Sequence, residues 1–306
     1  MPDIDQLNVQ ERLEYVSVRL LVALLGALPR SWARGLGAAA GGLAFALLGR
    51  LRRVGLRNLE LAYPGMPASE RARLLGCLYR NLGWQLAEFA QMGRYTSTNT
   101  AGIARYEGLE HYLAARDAGH GVLVVTGHLG VWELSSFYHS LMGHPMSMVI
   151  RRLDNPLVDA FVNRLRCLHG NQVLDKDFVR GLLQAMRDGQ TVGILMDTNM
   201  TPPQGVFVPF FGIPACTASG LARVALKTRA AVLPGFMLWE PAEKKYVLRF
   251  GERIPLIESG DDEADVVANT AQFTAAIEDT VRDYPDQWLW LHRRWKTRPA
   301  GEPAVY

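Results

Sequence analysis

The chain predicts an α/β fold: a mixed, largely parallel central sheet flanked by helices, with an N-terminal helical segment attached to a membrane. Three observations predict it. From the middle of the chain onward, short β-branched runs alternate with longer runs of helical period, the pattern of strand–helix repeats. Polar residues stand at the ends of several apolar runs, where α/β sheets gather their sites. The N-terminal stretch departs from both patterns, being apolar, acid-poor and rich in arginine.

With 306 residues and 49% apolar content, the chain can bury a large core. One α/β domain with an appendage is the expected organisation. The boundaries fall at 1–50 for the helical segment and 51–306 for the domain. Net charge is only +3, so its distribution matters more than its total. Cys77, Cys167 and Cys216 show neither metal-ligand spacing nor a disulfide framework. That fits a reducing, cytoplasm-facing compartment and a site without metal.

Between Tyr15 and Leu59 there is no Asp or Glu but there are seven Arg, at 19, 30, 34, 50, 52, 53 and 57. Leu20–Leu28 is an unbroken nonpolar run ended by Pro29, and Gly35–Gly49 is uncharged. Fifteen helical residues rise about 22 Å, short of a hydrocarbon core of about 30 Å. Two readings stand: a helical hairpin packed on the domain, or a membrane-attached segment whose arginines face anionic lipid, each gaining about 1 kcal/mol there. Attachment on the cytoplasmic side is favoured, because Arg residues crowd the C-terminal flank.

Further elements follow in order. Arg57–Pro64 reads as a helix end, and a helix runs from Ala68 to about Gly93. Residues 94–103 read as polar loop, and Tyr106–Ala118 as helix capped by Gly119. Val122–Val125 is a buried strand, followed by helix over Leu129–Leu141. Strands are expected at Pro145–Ile150, Val173–Leu174, Thr191–Met196, Ala231–Leu238 and Tyr246–Phe250. Helices are expected at 157–168, Phe178–Arg187, Ser219–Thr228 and Asp262–Arg282. Thr198–Pro214 reads as a loop, greasy in its second half, that serves as core, as a lid or as a wall for an acyl chain.

The central stretch is Gly121–Glu133. Thr126 and Gly127 break the strand, so His128 sits between strand and helix. Glu133 lies five residues on, about 140° away if both stood on one helix. The two meet only if His128 is in the turn and Glu133 in the first helical turns. Glu133 then accepts a hydrogen bond from one ring nitrogen and leaves the other free as a base. His128 is the only one of the seven His with an acid at that spacing, yet chance supplies nearly one such match, so the strand-end context carries the weight. Arg151 and Asp197 also follow apolar runs, and the three ends converge in a parallel sheet. The plain alternative is an Arg151–Asp197 ion pair at the sheet rim. No Gly-x-Ser-x-Gly, Walker A, Gly-x-Gly-x-x-Gly or His-Glu-x-x-His motif fits. What remains is a His base acting on a bound hydroxyl or water. Trp288–Arg298 interleaves aromatics and bases. Alone it suggests nucleic acid, but nothing else supports that partner, and the mixture equally suits a membrane interface.

The chain resembles the bacterial lipid A biosynthesis acyltransferases of the lysophospholipid acyltransferase superfamily. The resemblance covers nearly its whole length. It rests on Arg57-Asn58-Leu59 with Tyr63-Pro64, Gly127-His128 with Glu133, and Arg151-x3-Asn155-Pro156. It rests also on Arg166-x3-Gly170, the Asp197 strand end, Phe210-Phe211-Gly212 and Trp290-x-His292 through Pro299. It implies a glycerolipid acyltransferase-like fold and a membrane-bound enzyme at the cytoplasmic face of the bacterial inner membrane. That enzyme would move an acyl chain from acyl carrier protein to a hydroxyl of a phosphorylated glucosamine glycolipid, without a cofactor beyond its thioester co-substrate. By carry-over His128 is the base and Glu133 its orienter. Arg166, or Arg164 two positions earlier, binds substrate or steadies the oxyanion, and Arg151 and Asp197 line the site. Asn58 matches a family position without a derivable role. The Phe-Pro-Glu-Gly-Thr block of the glycerophosphate branch is missing, which favours a glycolipid acceptor. Three alternatives stay open: a coenzyme A-dependent enzyme acting on phosphatidylinositol mannosides, a non-catalytic lipid-binding protein on the same fold, and a soluble hydrolase.

Overall fold

The β-branched run Val122–Val125 lies at the centre of a seven-stranded sheet, buried on both faces. The computed structural model describes residues 8–175 and 179–306. In chain order the helices that open it are α1 (Val9–Ala27), α2 (Arg30–Leu47), α3 (Gly49–Ala62) and α4 (Ala68–Gln91). Then come β1 (Ala104–Glu107), α5 (Leu109–Asp117), β2 (Val122–Thr126), α6 (Trp132–Leu141), β3 (Ser147–Ile150), α7 (Pro156–Arg166), β4 (Gln172–Asp175), α8 (Val179–Arg187) and β5 (Thr191–Leu195). The chain continues with β6 (Gly205–Phe210), β7 (Ile213–Ala218), α9 (Gly220–Thr228), β8 (Ala231–Glu240), β9 (Lys245–Phe250) and α10 (Asp262–Asp283).

The large sheet has the order β1-β9-β8-β2-β5-β3-β4. Only the β8–β9 hairpin pairs antiparallel; the other neighbours are parallel. The fold is therefore α/β with a mostly parallel central sheet flanked by helices. The carboxyl ends of β2 and β5 lie side by side, with Thr126 opposite Leu195. The turns after these strands, which carry His128 and Asp197, are thereby neighbours. Side chains pack on both sheet faces. On one side Leu123, Val125, Phe273 and Trp288 belong to a single cluster, and on the other Val124, Phe137, Tyr112 and Leu233 do.

The N-terminal helices are tied to the domain by close packing. A Cβ on Gly37 of α2 would stand 2.2 Å from the Gly83 carbonyl oxygen of α4, and one on Gly41 would stand 2.1 Å from that of Tyr79. Only glycine permits that approach. The buried Glu88 of α4 accepts from Arg30 at 2.6 and 3.1 Å and from the Tyr95 hydroxyl. Arg34 lies between the Trp84 and Trp239 rings, 4.1 and 4.2 Å from their centres. No helix among the described residues is long and apolar enough to cross a membrane.

Several elements differ from expectation. Residues 104–107 are a strand, and the helix begins only at Leu109, because Gly108 has a positive φ of 69°. The expected loop over 198–214 contains β6, which pairs with β7 in a separate hairpin. Its alternation is masked by Pro209 and Phe211-Gly212. Helix α6 starts three residues late, since Gly130 and Val131 donate their N–H groups to the Gln287 and Met237 carbonyls instead. Phe178 lies outside the described residues. The aromatic-basic run is core rather than surface: Trp288, Trp290, Arg294 and Trp295 are fully buried.

Candidate active site

His128 stands in the turn between β2 and α6. Its backbone N–H donates to Asp197 Oδ2 at 2.7 Å, and its Nδ1 lies 2.8 Å from Asp197 Oδ1. The Trp288 indole also donates to Asp197 Oδ2, at 2.8 Å. Asp197 is thus buried with three donors around its two oxygens, and a buried carboxylate needs them. Gly127 makes room, for a Cβ there would stand 3.0 Å from the Asp197 carboxylate.

These contacts set the electrostatics. Burial alone raises the Asp197 pKa, but the His128 charge and the donors outweigh it and bring it down to about 2. Burial alone lowers the His128 pKa, but Asp197, with a smaller push from Glu133, leaves it above the ordinary histidine value. An ionised Asp197 holds the proton on Nδ1, so Nε2 is the free base. The ring keeps about a quarter of its side-chain surface exposed, against 2% for Asp197.

The expected His128–Glu133 hydrogen bond does not form. Glu133, in the first turn of α6, instead accepts from Arg166 in a bidentate pair, Nε to Oε2 at 2.7 Å and Nη2 to Oε1 at 2.5 Å. The condition for contact is met, with His128 in the turn and Glu133 in the first turn of α6, but Asp197 occupies Nδ1 and Arg166 occupies both Glu133 oxygens. Arg166 at the end of α7 also donates to Asn163 at 3.1 Å, while Arg164 points to solvent. That separates the two candidate arginines. Arg151 is not brought to the dyad. It is exposed in the loop after β3 and pairs with Asp154 at 2.9 Å, so the Arg151–Asp197 rim pair is also not formed. Asn58 acquires a role: buried in α3, it donates to the Trp290 and His292 carbonyls at 2.6 and 2.7 Å.

A narrow apolar cleft opens beside His128. It follows β2 back from Thr126 to Val124 and α6 forward from Trp132 and Glu133 to His139. Its other walls are Met146, Met148, Leu195 and Phe250, with Arg166 beside Glu133. The His128 ring lies edge-on to Trp132, 5.1 Å between centres. Deep in the cleft, His139 bonds the Tyr106 hydroxyl through Nδ1 at 2.8 Å, its Nε2 has no partner, and burial pushes its pKa down to about 3. It is a neutral wall residue. No group of three or more His, Cys, Asp or Glu among the described residues is placed to hold a metal ion.

Sequence reasoning missed Trp288 and His292. His292 accepts the Asn199 N–H through Nε2 at 2.8 Å, and Leu289 N–H donates to the His128 carbonyl at 2.9 Å. The sequence signals were the aromatic-basic run after residue 287, which fitted several readings equally, and the Trp290-x-His292 motif, which carried no role.

The arrangement suits proton abstraction from a hydroxyl placed at Nε2, next to an apolar slot for a chain. The lauroyltransferase of lipid A biosynthesis from Escherichia coli K12 is 30% identical over 272 residues, covering 89% of this chain and 87% of that protein. The palmitoleoyltransferase of the same organism is 27% identical over the same shares, and its myristoyltransferase is 25% identical over 91% of each chain. Residues 7–297 match the bacterial lipid A biosynthesis acyltransferases as a family, and the chain belongs to that family.

Proposed function

We propose that this acyltransferase moves a fatty acyl chain from an acyl carrier protein thioester to a hydroxyl of a lipid A precursor, late in that lipid's synthesis, at the cytoplasmic face of the bacterial inner membrane. The observation that carries the reading is the His128–Asp197 pair beside the apolar cleft. Three relatives whose names specify lauroyl, palmitoleoyl and myristoyl transfer support the substrate class.

In this reading the thioester's chain lies in the cleft and its carbonyl carbon faces His128. Nε2 takes the acceptor's proton as its oxygen attacks that carbon. The carbon–sulfur bond then breaks, and the imidazolium returns the proton to the departing thiolate. A positioned base of this kind gives about 10²–10⁴-fold. Asp197 is the positioning residue: it fixes the tautomer and stabilises the imidazolium. Glu133 holds Arg166 in the cleft wall, where the guanidinium supports the charge developing on the carbonyl oxygen. No serine or cysteine nucleophile is used. Twelve of the eighteen exposed large apolar side chains among the described residues lie between Val9 and Leu51, on α1–α3 and the joint between α2 and α3. They support contact of these helices with lipid.

The test is mass spectrometry of a tetraacylated lipid A precursor incubated with membranes carrying the protein and carrier thioesters of several lengths. One added acyl chain is expected, lost in His128→Ala and strongly reduced in Glu133→Ala. Addition that survives His128→Ala in a folded variant would remove His128 as the base. Transfer only from coenzyme A thioesters would replace the donor.

A further inference from the structure

A second groove runs between α3 and the segment 291–296, with Arg50, Leu51, Val54, His292, Arg293 and Lys296 among its walls. It shares no lining residue with the apolar cleft. The backbone connects it to the chemistry within five residues. Trp288 holds Asp197, Leu289 holds the His128 carbonyl, and Leu291 and His292 then enter the groove wall. Asn58 fixes the opposite wall, α3, to this segment through two carbonyls.

Three cations line the groove with no carboxylate partner among the described residues: Arg50, Arg293 and Lys296. Elsewhere among the described residues many arginines are paired with carboxylates, as Arg30, Arg105, Arg166 and Arg223 are. Arg293 only stacks on Tyr306, 5.8 Å from the ring centre. Like-charged side chains held together without counter-ions raise the local potential and favour an anionic ligand. His292 adds a donor, because its Nε2 accepts from the Asn199 N–H and its proton therefore sits on Nδ1. The apolar walls matter as much. Leu48 and Leu51 are exposed and continue the apolar stripe of α2, formed by Trp32, Leu36, Leu43 and Leu47. The groove therefore opens where the chain faces lipid. Clustered cations beside exposed leucines match an anionic amphiphile. An acidic carrier protein needs no leucine wall.

From this juxtaposition we infer that the groove between α3 and residues 291–296 seats a phosphate-bearing sugar headgroup of the acceptor glycolipid, with Arg50, Arg293 and Lys296 as its phosphate ligands. The inference rests on the transfer reading above for the identity of the acceptor. Donor chain and acceptor headgroup then occupy separate grooves that share no lining residue.

The experiment is equilibrium binding to the full chain in neutral detergent micelles, with no thioester present. The probe is a bisphosphorylated tetraacyl glucosamine disaccharide, compared with the same lipid after enzymatic removal of its phosphates. The wild-type chain should bind the phosphorylated form at least ~10-fold more tightly, the scale of one charge-assisted contact. R293Q/K296Q, left with Arg50 alone, should lose most of that preference. R253Q, which removes an arginine from another surface cleft, should keep the wild-type preference. The groove assignment is overturned if the wild type shows no phosphate preference, or if R293Q/K296Q retains it. It is equally overturned if that variant keeps its lipid binding but raises the KM for the carrier thioester and not for the coenzyme A thioester, since the groove would then hold carrier protein. Binding needs no turnover. A chain that shows the expected pattern but transfers no acyl group would sink the transfer reading and leave the groove in place.

Discussion

At the residue scale, the pairing of Asp197 with His128 makes a directional prediction about pH. The transfer needs a neutral imidazole, and the folded protein holds the His128 pKa above its ordinary value through Asp197. Activity should therefore fall as pH drops through that raised value. Asp197→Asn removes the counter-charge while burial remains, and burial pushes the pKa down. The acid limb of kcat/KM should move to lower pH, with the rate reduced by about 10²–10⁴-fold because the tautomer is no longer fixed. The limb belongs to the coupled pair, so the readout is its displacement between the two proteins. An unchanged limb with a reduced rate would mean that Asp197 only supports the turn. The residues themselves were partly legible. His128 and Asp197 could be seen because each ends an apolar strand, and Arg166 because the motif marked it. That His128 pairs with Asp197 rather than Glu133 could not be seen. It depends on β2 and β5 being sheet neighbours, which brings together residues 69 apart, and on Arg166 of α7 reaching Glu133 across 33 residues.

At the scale of elements, β5 and the loop before β3 shape the cleft, and they supply opposite tests of its role. Gly193 of β5 and Met146 both line it, and a Cβ on Gly193 would stand 2.6 Å from the Met146 methyl. That neighbour is the end of a flexible side chain, so Gly193→Val can be accommodated by displacing it into the cleft, at an overpacking cost of about 1–3 kcal/mol. Met146→Ala instead empties space at the same place. If the acyl chain lies here, Gly193→Val should shift preference toward shorter thioesters and Met146→Ala toward longer ones, read as product masses from mixed donors. The same direction of change in both variants would remove the cleft as the chain's seat. Strands such as β2 and β5 were readable because both faces are buried and their sequences are continuous apolar runs. Strand β1 was not. Ala104-Arg-Tyr-Glu107 is an edge strand of mixed polarity whose only sheet partner, β9, lies about 140 residues away. The β6–β7 hairpin was hidden for another reason: its prolines and aromatic pair look like loop until Pro209 is placed opposite Pro214.

At the scale of the whole molecule, the N-terminal helices invert the usual pattern of a packed hairpin. Against α4, α1 and α2 bury Leu25, Ala33, Gly37 and Gly41 with the Arg34 side chain, and apart from Leu25 their leucines stay outside. On α1 the exposed residues Val9, Leu13, Val16, Leu20 and Leu24 recur at three- and four-residue steps, which makes one stripe along the helix. The alternation of apolar and basic residues was plain in the sequence, but which face would be buried was not, because it depends on Gly37 and Gly41 reaching α4. No described helix is long and apolar enough to cross a membrane, and the stripe itself predicts helices lying along the membrane surface. Magnitudes say which force dominates. An arginine near anionic lipid gains about 1 kcal/mol and is screened by salt, whereas burying a leucine fully gains about 1.5–3 kcal/mol and is not. The full chain should therefore cosediment with vesicles of anionic phospholipid and stay largely bound when salt is raised. Leu20→Glu with Leu24→Glu should release most of it even at low salt, because two apolar contacts are lost and two charges are set against an anionic surface. These side chains point away from α4, so the melting temperature of the detergent-free protein should not fall. Release by salt alone, with the glutamate variant binding like wild type, would assign attachment to the arginines and leave the leucine stripe without a role at the membrane.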